Sequence, residues 1–195
     1  IVTCKEDIEW LLNAVPDRHN GLTFCAGSLS AGAQNDVPAM AREFASRTWF
    51  VHLRSCHVFP NGDFTEASHL GGRADLIKLV HIFEQEELNR NGNPNIARLP
   101  MRVDHGMTML GDESRGYNAG YSFLGRMFAM GQVQGIIAAV CCELVLRLSD
   151  IRGQCFRSPE VQKSSHMLKH LAIGCHKSNG ITFRLLDFFT FATTS

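Results

Sequence analysis

The sequence has no excess of charge of either sign, because its 19 lysines and arginines equal its 19 aspartates and glutamates. A protein that holds a nucleic-acid backbone or an anionic membrane surface normally carries a strongly basic face or segment. The balance therefore argues against nucleic acid as the partner. We expect a small molecule instead, with association into a homo-oligomer left open.

A disulfide framework is also lacking, since the 7 cysteines are odd in number, irregularly spaced and contain no Cys-x-x-Cys pair. Disulfide-rich secreted domains usually show an even set in a shorter chain. The opening IVTCKEDIEW has neither the basic nor the apolar region of a signal peptide. We therefore expect free thiols in the cytoplasm. Because residue 1 is Ile rather than Met, we also expect a longer parent protein.

No run of about 18 uninterrupted apolar residues, the minimum for a membrane-spanning helix, is present. The most apolar stretch, residues 120–142, is interrupted by Arg126, Gln132 and Gln134. We expect this stretch to form a buried or half-buried helix, and we expect no membrane partner.

Strand and helix patterns do alternate along the first 140 residues. Apolar residues at helical spacing predict helices, and short runs rich in β-branched and aromatic residues predict strands. The small-residue segment AGSLSAG is predicted to be a loop after the first strand, and an Asn-Gly turn lies in the long connection after the second. The predicted strands are 22–25, 48–54 and 97–105, and the predicted helices are 5–14, 36–47, 75–90 and 120–140.

Alternating strands and helices are typical of parallel βα units. About three such units are present, whereas a closed barrel of eight units takes about 250 residues. We therefore predict either a small open α/β sheet or part of a larger (β/α) barrel. The alternation ends near residue 140, so residues 141–195 are interpreted as a divergent tail. That tail contains metal-competent residues but no His-Glu-x-x-His signature, and we expect no zinc site among His166, His170, Cys175 and His176.

Each predicted strand ends in a residue suited to metal or acid–base chemistry. These residues are Cys25, His52 and the pair Asp104-His105. Because the carboxyl ends of parallel strands share one face, we expect the three strand ends to meet there. Asp104 and His105 point to opposite faces if the strand continues through them, whereas a turn would let one bind metal and the other face the substrate as an acid–base group. Thiolate, imidazole and carboxylate together suit a divalent transition metal that acts as a Lewis acid. Taken singly, Cys25 is better explained as a buried core residue than as a ligand.

Two arginines lie two residues from these strand ends and therefore share their faces. Arg54 follows His52, and Arg102 precedes Asp104. Either guanidinium is suited to bind a substrate carboxylate through two parallel hydrogen bonds. In the loop before the predicted helix 75–90, Glu66 is a further candidate for binding a ligand or substrate. His69 is predicted to be a solvated loop residue.

Residues 1–140 resemble the C-terminal portion of the D-mannonate dehydratase family. The resemblance is carried by several long motifs in the same order, namely EDIEWLLNAVPDRHNGLTFCAGSLSA, FVHLRS, GDFTEASHLGG, PMRVDHG and GYSFLGRMFAMGQVQG. No resemblance is found beyond about residue 140.

This resemblance implies a xylose-isomerase-like (β/α) barrel that dehydrates D-mannonate to 2-keto-3-deoxy-D-gluconate in glucuronate breakdown, using Mn²⁺ or Fe²⁺. It implies that Cys25, His52 and Asp104 are metal ligands and that His105 and Tyr121 are the acid–base pair. A further histidine ligand is expected on an earlier strand, upstream of residue 1. Two alternatives stay open: an inactive fragment of the family, and a related metal-dependent sugar isomerase or epimerase.

Overall fold

The computed structural model describes residues 2–90 and 99–155, with residues 145–155 as backbone only. Its contacts divide the chain into two units, Ile1–Ile137 and Ala138–Ser195, and the sheets described below belong to the first. The elements, in chain order, are α1 (Lys5–Ala14), β1 (Leu22–Cys25), α2 (Ala26–Ser30), α3 (Val37–Phe44), a 3₁₀ turn (Ala45–Arg47), β2 (Thr48–His52), β3 (Cys56–Val58), β4 (Phe64–Glu66), α4 (Leu76–Arg90), β5 (Met101–Arg102), a second 3₁₀ turn (Glu113–Arg115) and α5 (Phe123–Cys155).

Acidic side chains cap the first turns of helices α1 and α3. At α1, the Asp7 carboxylate accepts hydrogen bonds from the Thr3 backbone N–H (2.7 Å) and hydroxyl (2.9 Å). These bonds lower the pKa of Asp7 to about 2. At α3, Asp36 accepts from the Ala39 N–H at 3.0 Å, and Pro38 lies in the first turn, where its missing N–H costs nothing. The predicted starts of both helices are confirmed.

A parallel sheet in the order β1-β2-β5 positions the strand ends. Cys25 is opposite His52, and His52 is opposite Arg102. The third strand is shorter than predicted, because only Met101–Arg102 is strand among the described residues of 97–105. Pro100 has no N–H to donate, and Asp104 leaves the extended conformation with a φ of 62°.

The connection after β2 forms an antiparallel hairpin, β3–β4, and the Asn-Gly turn predicted from the sequence joins its two strands. Gly62 occupies the turn with a φ of 90°, a conformation that favours glycine. The hairpin register places Glu66 opposite Cys56. The hairpin therefore returns Glu66 to the side of the sheet where β2 ends.

The segment AGSLSAG was predicted to be a loop, but Ala26–Ser30 forms a short helix, so that prediction is wrong. Ala26, Gly27, Leu29 and Ser30 are all buried. A side chain at Gly27 would overlap the stem of Arg54, because a Cβ there would lie 2.5 Å from Arg54 Cγ. The small residues therefore serve close packing rather than flexibility.

The core of the first unit lies between the sheet and the helices. Phe24 of β1 packs edge-on against Phe83 of α4, with ring centroids 5.3 Å apart. Val51, Leu79 and Val80 are fully buried beside them. This packing buries one face of β1 and β2, whose last residues contribute to the site.

By length and composition, the described residues contain one helical stretch that is able to cross a membrane, Phe123–Leu144 in α5. The core helix of a globular protein passes the same test, so a single stretch is weak support for a span. The absence of a membrane partner stays a prediction from the sequence.

Candidate metal centre

Cys25, His52 and Asp104 bring their ligand atoms together at the ends of three parallel strands. The Cys25 sulfur, a ring nitrogen of His52 and a carboxylate oxygen of Asp104 all lie within 4.8 Å of one another. All three side chains are half-buried. Sheet register explains the meeting of Cys25 with His52, since these residues are partners across β1 and β2.

Asp104 joins this pair because the backbone turns directly after β5. It is the only residue other than glycine with a positive φ in the described part of the chain. This left-handed conformation is one that aspartate tolerates better than most residues. The turn points Asp104 Oδ2 towards His52 Nδ1, at 3.3 Å. His105 Nε2 lies 3.5 Å from the same oxygen, so the two adjacent residues face one region.

Electrostatics keep His52 suited to metal binding. Burial lowers the pKa of His52, and the opposing attraction of Asp104 is the smaller effect. A neutral imidazole is the form that binds a metal. The Cys25 sulfur accepts a hydrogen bond from the Ser28 hydroxyl at 3.1 Å. Sulfur, nitrogen and oxygen donors at this spacing fit a divalent transition metal.

Arg102 forms the closest contact of the Asp104 carboxylate. Its Nη2 donates to Asp104 Oδ1 at 2.6 Å, while 40% of the Arg102 side chain stays exposed. The bond occupies one carboxylate oxygen and leaves the other, Oδ2, towards His52. Arg102 was predicted to bind a substrate carboxylate, and that role stays a prediction.

Arg54, the other arginine predicted to bind a substrate, is paired with Glu66. Arg54 Nε donates to Glu66 Oε2 at 3.0 Å, and Arg54 Nη2 donates to Oε1. Each side chain is 11% exposed. The sequence did not identify Glu66 as the partner of Arg54. No local spacing signals the pair, because Arg54 follows β2 whereas Glu66 ends β4, 12 residues further along the chain.

The two acid–base candidates, His105 and Tyr121, lie side by side. Their ring centroids are 4.8 Å apart, and 50% of Tyr121 is exposed. A bridge between Gly106 and Tyr121 ties the two segments together. His105 Nδ1 lies 3.6 Å from Glu66 Oε1. The arrangement places the His105 imidazole beside the candidate ligand Asp104 and the Tyr121 phenol beside His105.

His69 was predicted to be a solvated loop residue, and the structure shows otherwise, with only 2% of it exposed. Its Nε2 lies 3.3 Å from the Val103 carbonyl oxygen, and its backbone N–H donates to Gln132 Oε1 at 3.1 Å. Burial lowers the pKa of His69, which favours the neutral ring. His69 therefore ties the loop to Val103, the residue that precedes Asp104. The metal-competent residues of the tail, His166 to His176, lie outside the described residues.

The fold and site together define an α/β protein with a candidate metal centre at the ends of a parallel sheet. The family model for D-mannonate dehydratase (UxuA) matches residues 1–144. The chain belongs to the D-mannonate dehydratase family.

Individual relatives agree with this assignment. The chain is 44% identical over 137 residues to a mannonate dehydratase of Marinomonas sp. (strain MWYL1), covering 70% of this chain and 35% of the relative. It is 43% identical over 143 residues to a mannonate dehydratase of Saccharophagus degradans, covering 72% and 36%. The crystal structure of mannonate dehydratase from Streptococcus suis serotype 2 superposes with a TM-score of 0.62 at 27% identity, covering 74% of this chain and 39% of that one. The chain thus spans about a third of the length of these relatives.

Proposed function

We propose that this chain forms part of a metal-dependent D-mannonate dehydratase, a lyase that converts D-mannonate to 2-keto-3-deoxy-D-gluconate and water. The observation that carries the proposal is the convergence of Cys25, His52 and Asp104 within 4.8 Å in a chain of this family. In this proposal the three-stranded parallel sheet is an arc of a xylose-isomerase-like (β/α) barrel. The strand ends then lie on the rim where such barrels carry their sites.

Cys25, His52 and Asp104 hold Mn²⁺ or Fe²⁺ in this proposal. The ion, when bound, acts as a Lewis acid on the carboxylate side of the substrate and stabilises the negative charge that develops there. The polar contacts of the ligands support this use. Ser28 donates to the thiol and Arg102 donates to one oxygen of Asp104. Burial lowers the pKa of His52, which favours its neutral form.

His105 and Tyr121 provide the proton transfers. One of them removes the proton on C2, next to the carboxylate, and the other protonates the hydroxyl that leaves C3 as water. The resulting enol then becomes the 2-keto acid. Two groups next to each other suit a reaction that needs a base and an acid at neighbouring carbons. Their ring centroids, 4.8 Å apart, are consistent with one substrate meeting both.

The two arginines differ in how a substrate carboxylate would reach them. Arg102 keeps 40% of its side chain exposed beside Asp104. Arg54 is enclosed and already holds Glu66 through both oxygens. A substrate carboxylate at Arg54 would have to compete with that pair. Arg102 is therefore the stronger of the two proposed substrate contacts.

The test is to incubate the purified chain with Mn²⁺ and D-mannonate and follow the keto-deoxy acid by NMR. The Asp104→Asn variant serves as control, because it removes a ligand charge while keeping a residue that tolerates the same backbone. Product from the wild type and none from the variant is the expected result. A folded, metal-bound wild type that makes no product would contradict the proposal and favour an inactive fragment.

Substrate profiling separates the remaining alternative. An isomerase or epimerase with the same metal rim would convert aldoses or epimerise aldonates without releasing water. We expect D-mannonate to be dehydrated and aldoses to be unchanged. Interconversion of aldoses in place of dehydration would favour the isomerase.

A further inference from the structure

We propose that Glu66 is the positioning residue of His105, fixing the ring with its proton on Nδ1 and its Nε2 lone pair towards the metal ligands. The inference rests on the proposed function, in which His105 exchanges a proton with the substrate. It concerns a residue outside the metal triad, placed by the β3–β4 hairpin rather than by the parallel sheet.

Glu66 is held in place before it meets His105. Arg54 donates a hydrogen bond to each of its two oxygens. The aliphatic part of Arg54 packs directly against Gly27, where a side chain would overlap it. A two-pronged pair of this kind fixes the carboxylate plane as well as its position. A carboxylate fixed in this way is suited to orient a neighbouring group.

The Nδ1 side of His105 is closed off from other partners. This nitrogen is buried and has no hydrogen-bond partner within normal distance among the described residues, and Glu66 Oε1 lies 3.6 Å from it. Gly120 closes the same side, because a Cβ there would lie 2.8 Å from Nδ1 and 3.2 Å from Glu66 Cγ. An N–H directed at a carboxylate is attracted to it, whereas a bare lone pair is repelled. The proton on Nδ1 is therefore the favoured arrangement.

The other ring nitrogen faces a carboxylate that is already engaged. His105 Nε2 lies 3.5 Å from Asp104 Oδ2, which also faces His52 Nδ1 at 3.3 Å. Asp104 Oδ1 is bound by Arg102. In the proposed function the metal ion neutralises Asp104 further. Asp104 thus competes weakly for the ring proton, and Glu66 sets the tautomer.

The test is a long-range proton–nitrogen NMR spectrum of the histidine rings in the 195-residue chain, recorded with diamagnetic Zn²⁺ at a pH where the rings are neutral. The signals of His105 are identified by their loss in His105→Asn. We expect the wild-type ring to carry its proton mainly on Nδ1. Glu66→Gln, a neutral and weaker acceptor, should make the Nε2–H form the major one, as in a free histidine side chain.

The matched control is Glu86→Gln, which removes another Arg–Glu pair in a half-buried place, the 2.8 Å contact with Arg90 Nε. It should leave the His105 signals unchanged. Arg54→Lys keeps Glu66 but removes the pair of hydrogen bonds that orients it, so the tautomer population of His105 should shift less, in the same direction. This variant replaces Glu66→Gln if that variant does not fold.

A wild-type His105 with its proton mainly on Nε2, or a tautomer unaffected by Glu66→Gln and Arg54→Lys, would overturn the proposal. The metal proposal is read separately from the same spectra, because Zn²⁺ bound by the triad must shift the His52 signals. Unchanged His52 signals would contradict the metal site while leaving the result at His105 intact.

Discussion

Cys25 and His52 are register partners across the parallel strands β1 and β2, so one sheet register sets both side chains at the same rim. A slip of one residue would send one of them to the opposite face of the sheet. Buried Phe24 and Val51, the preceding residues of the two strands, oppose such a slip. The core of the fold therefore fixes two members of the candidate metal centre.

Asp104 is expected to support metal binding through its charge and folding stability through its tolerance of the left-handed backbone. Asp104→Asn and Asp104→Ala both remove the carboxylate, and each should weaken Mn²⁺ binding by more than about 100-fold, since outer partners alone contribute about 10- to 100-fold. Asn tolerates the φ of 62°, whereas Ala should lose about 1 kcal/mol more in unfolding free energy. Calorimetric metal titration and urea denaturation measure the two effects. Equal stability of the two variants would contradict the role of the left-handed backbone.

Arg102 is expected to support metal binding through Asp104. Arg102→Met removes the 2.6 Å bond to Asp104 Oδ1 and should weaken Mn²⁺ affinity about 10- to 100-fold. Arg73→Met, at an exposed arginine on the loop before α4, is the control for loss of one positive charge. The same titration calorimetry applies to both. Equal losses of affinity in the two variants would mean that overall charge, and not the bond to Asp104, is responsible.

Arg54 and Glu66 should show strong energetic coupling. Both side chains are 11% exposed, and removal of one partner from a buried pair typically costs about 3–5 kcal/mol. Arg54→Met and Glu66→Leu should each destabilise the chain to this extent, while the double variant should cost clearly less than their sum. Urea denaturation of the four proteins gives the coupling. Simple additivity would show that the pair does not act as a unit.

Gly120 and Gly111 provide a matched comparison at the acid–base site. Their φ values are 83° and 85°, so alanine at either should cost about 1–2 kcal/mol in backbone strain. Only at Gly120 would the new Cβ also meet His105 and Glu66. At Gly111 it would meet no described residue within 4 Å other than its two chain neighbours. Gly120→Ala should therefore destabilise more and disturb the His105 NMR signals. Identical effects of the two substitutions would argue against close packing at His105.

The sequence predicted the parallel strands and the metal-competent residues at their ends, because the signals for both are local. Apolar residues 22–25 and 48–52 identify β1 and β2, and Asp36 and Asp75 mark where helices begin. Parallel pairing then places the strand ends on one edge, so Cys25 and His52 needed no further information. Asp104 joins them through the left-handed turn after β5, which the pairing rule does not supply.

What the sequence did not predict depends on contacts between distant segments. His69 is buried through Val103 and Gln132, which are 34 and 63 residues away along the chain. Arg54 meets Glu66 only because the hairpin folds back. Helix α2 lacks a side-chain cap and was missed because its small residues resemble a loop. The burial of His69 and helix α2 have no periodic pattern or turn signal of their own. The Asn61-Gly62 turn signals a turn but does not show that Glu66 is brought to Arg54.

The most direct test of the metal centre is a Co²⁺ titration followed by absorption in the near ultraviolet, where a thiolate bound to cobalt gives a charge-transfer band. Cys25→Ser should abolish the band, and Cys142→Ser, at an exposed free cysteine, should retain it. A band that saturates at one Co²⁺ per chain and disappears only with Cys25 is the predicted result. No band in the folded wild type, or an equal band in Cys25→Ser, would contradict the assignment of Cys25, His52 and Asp104 as metal ligands.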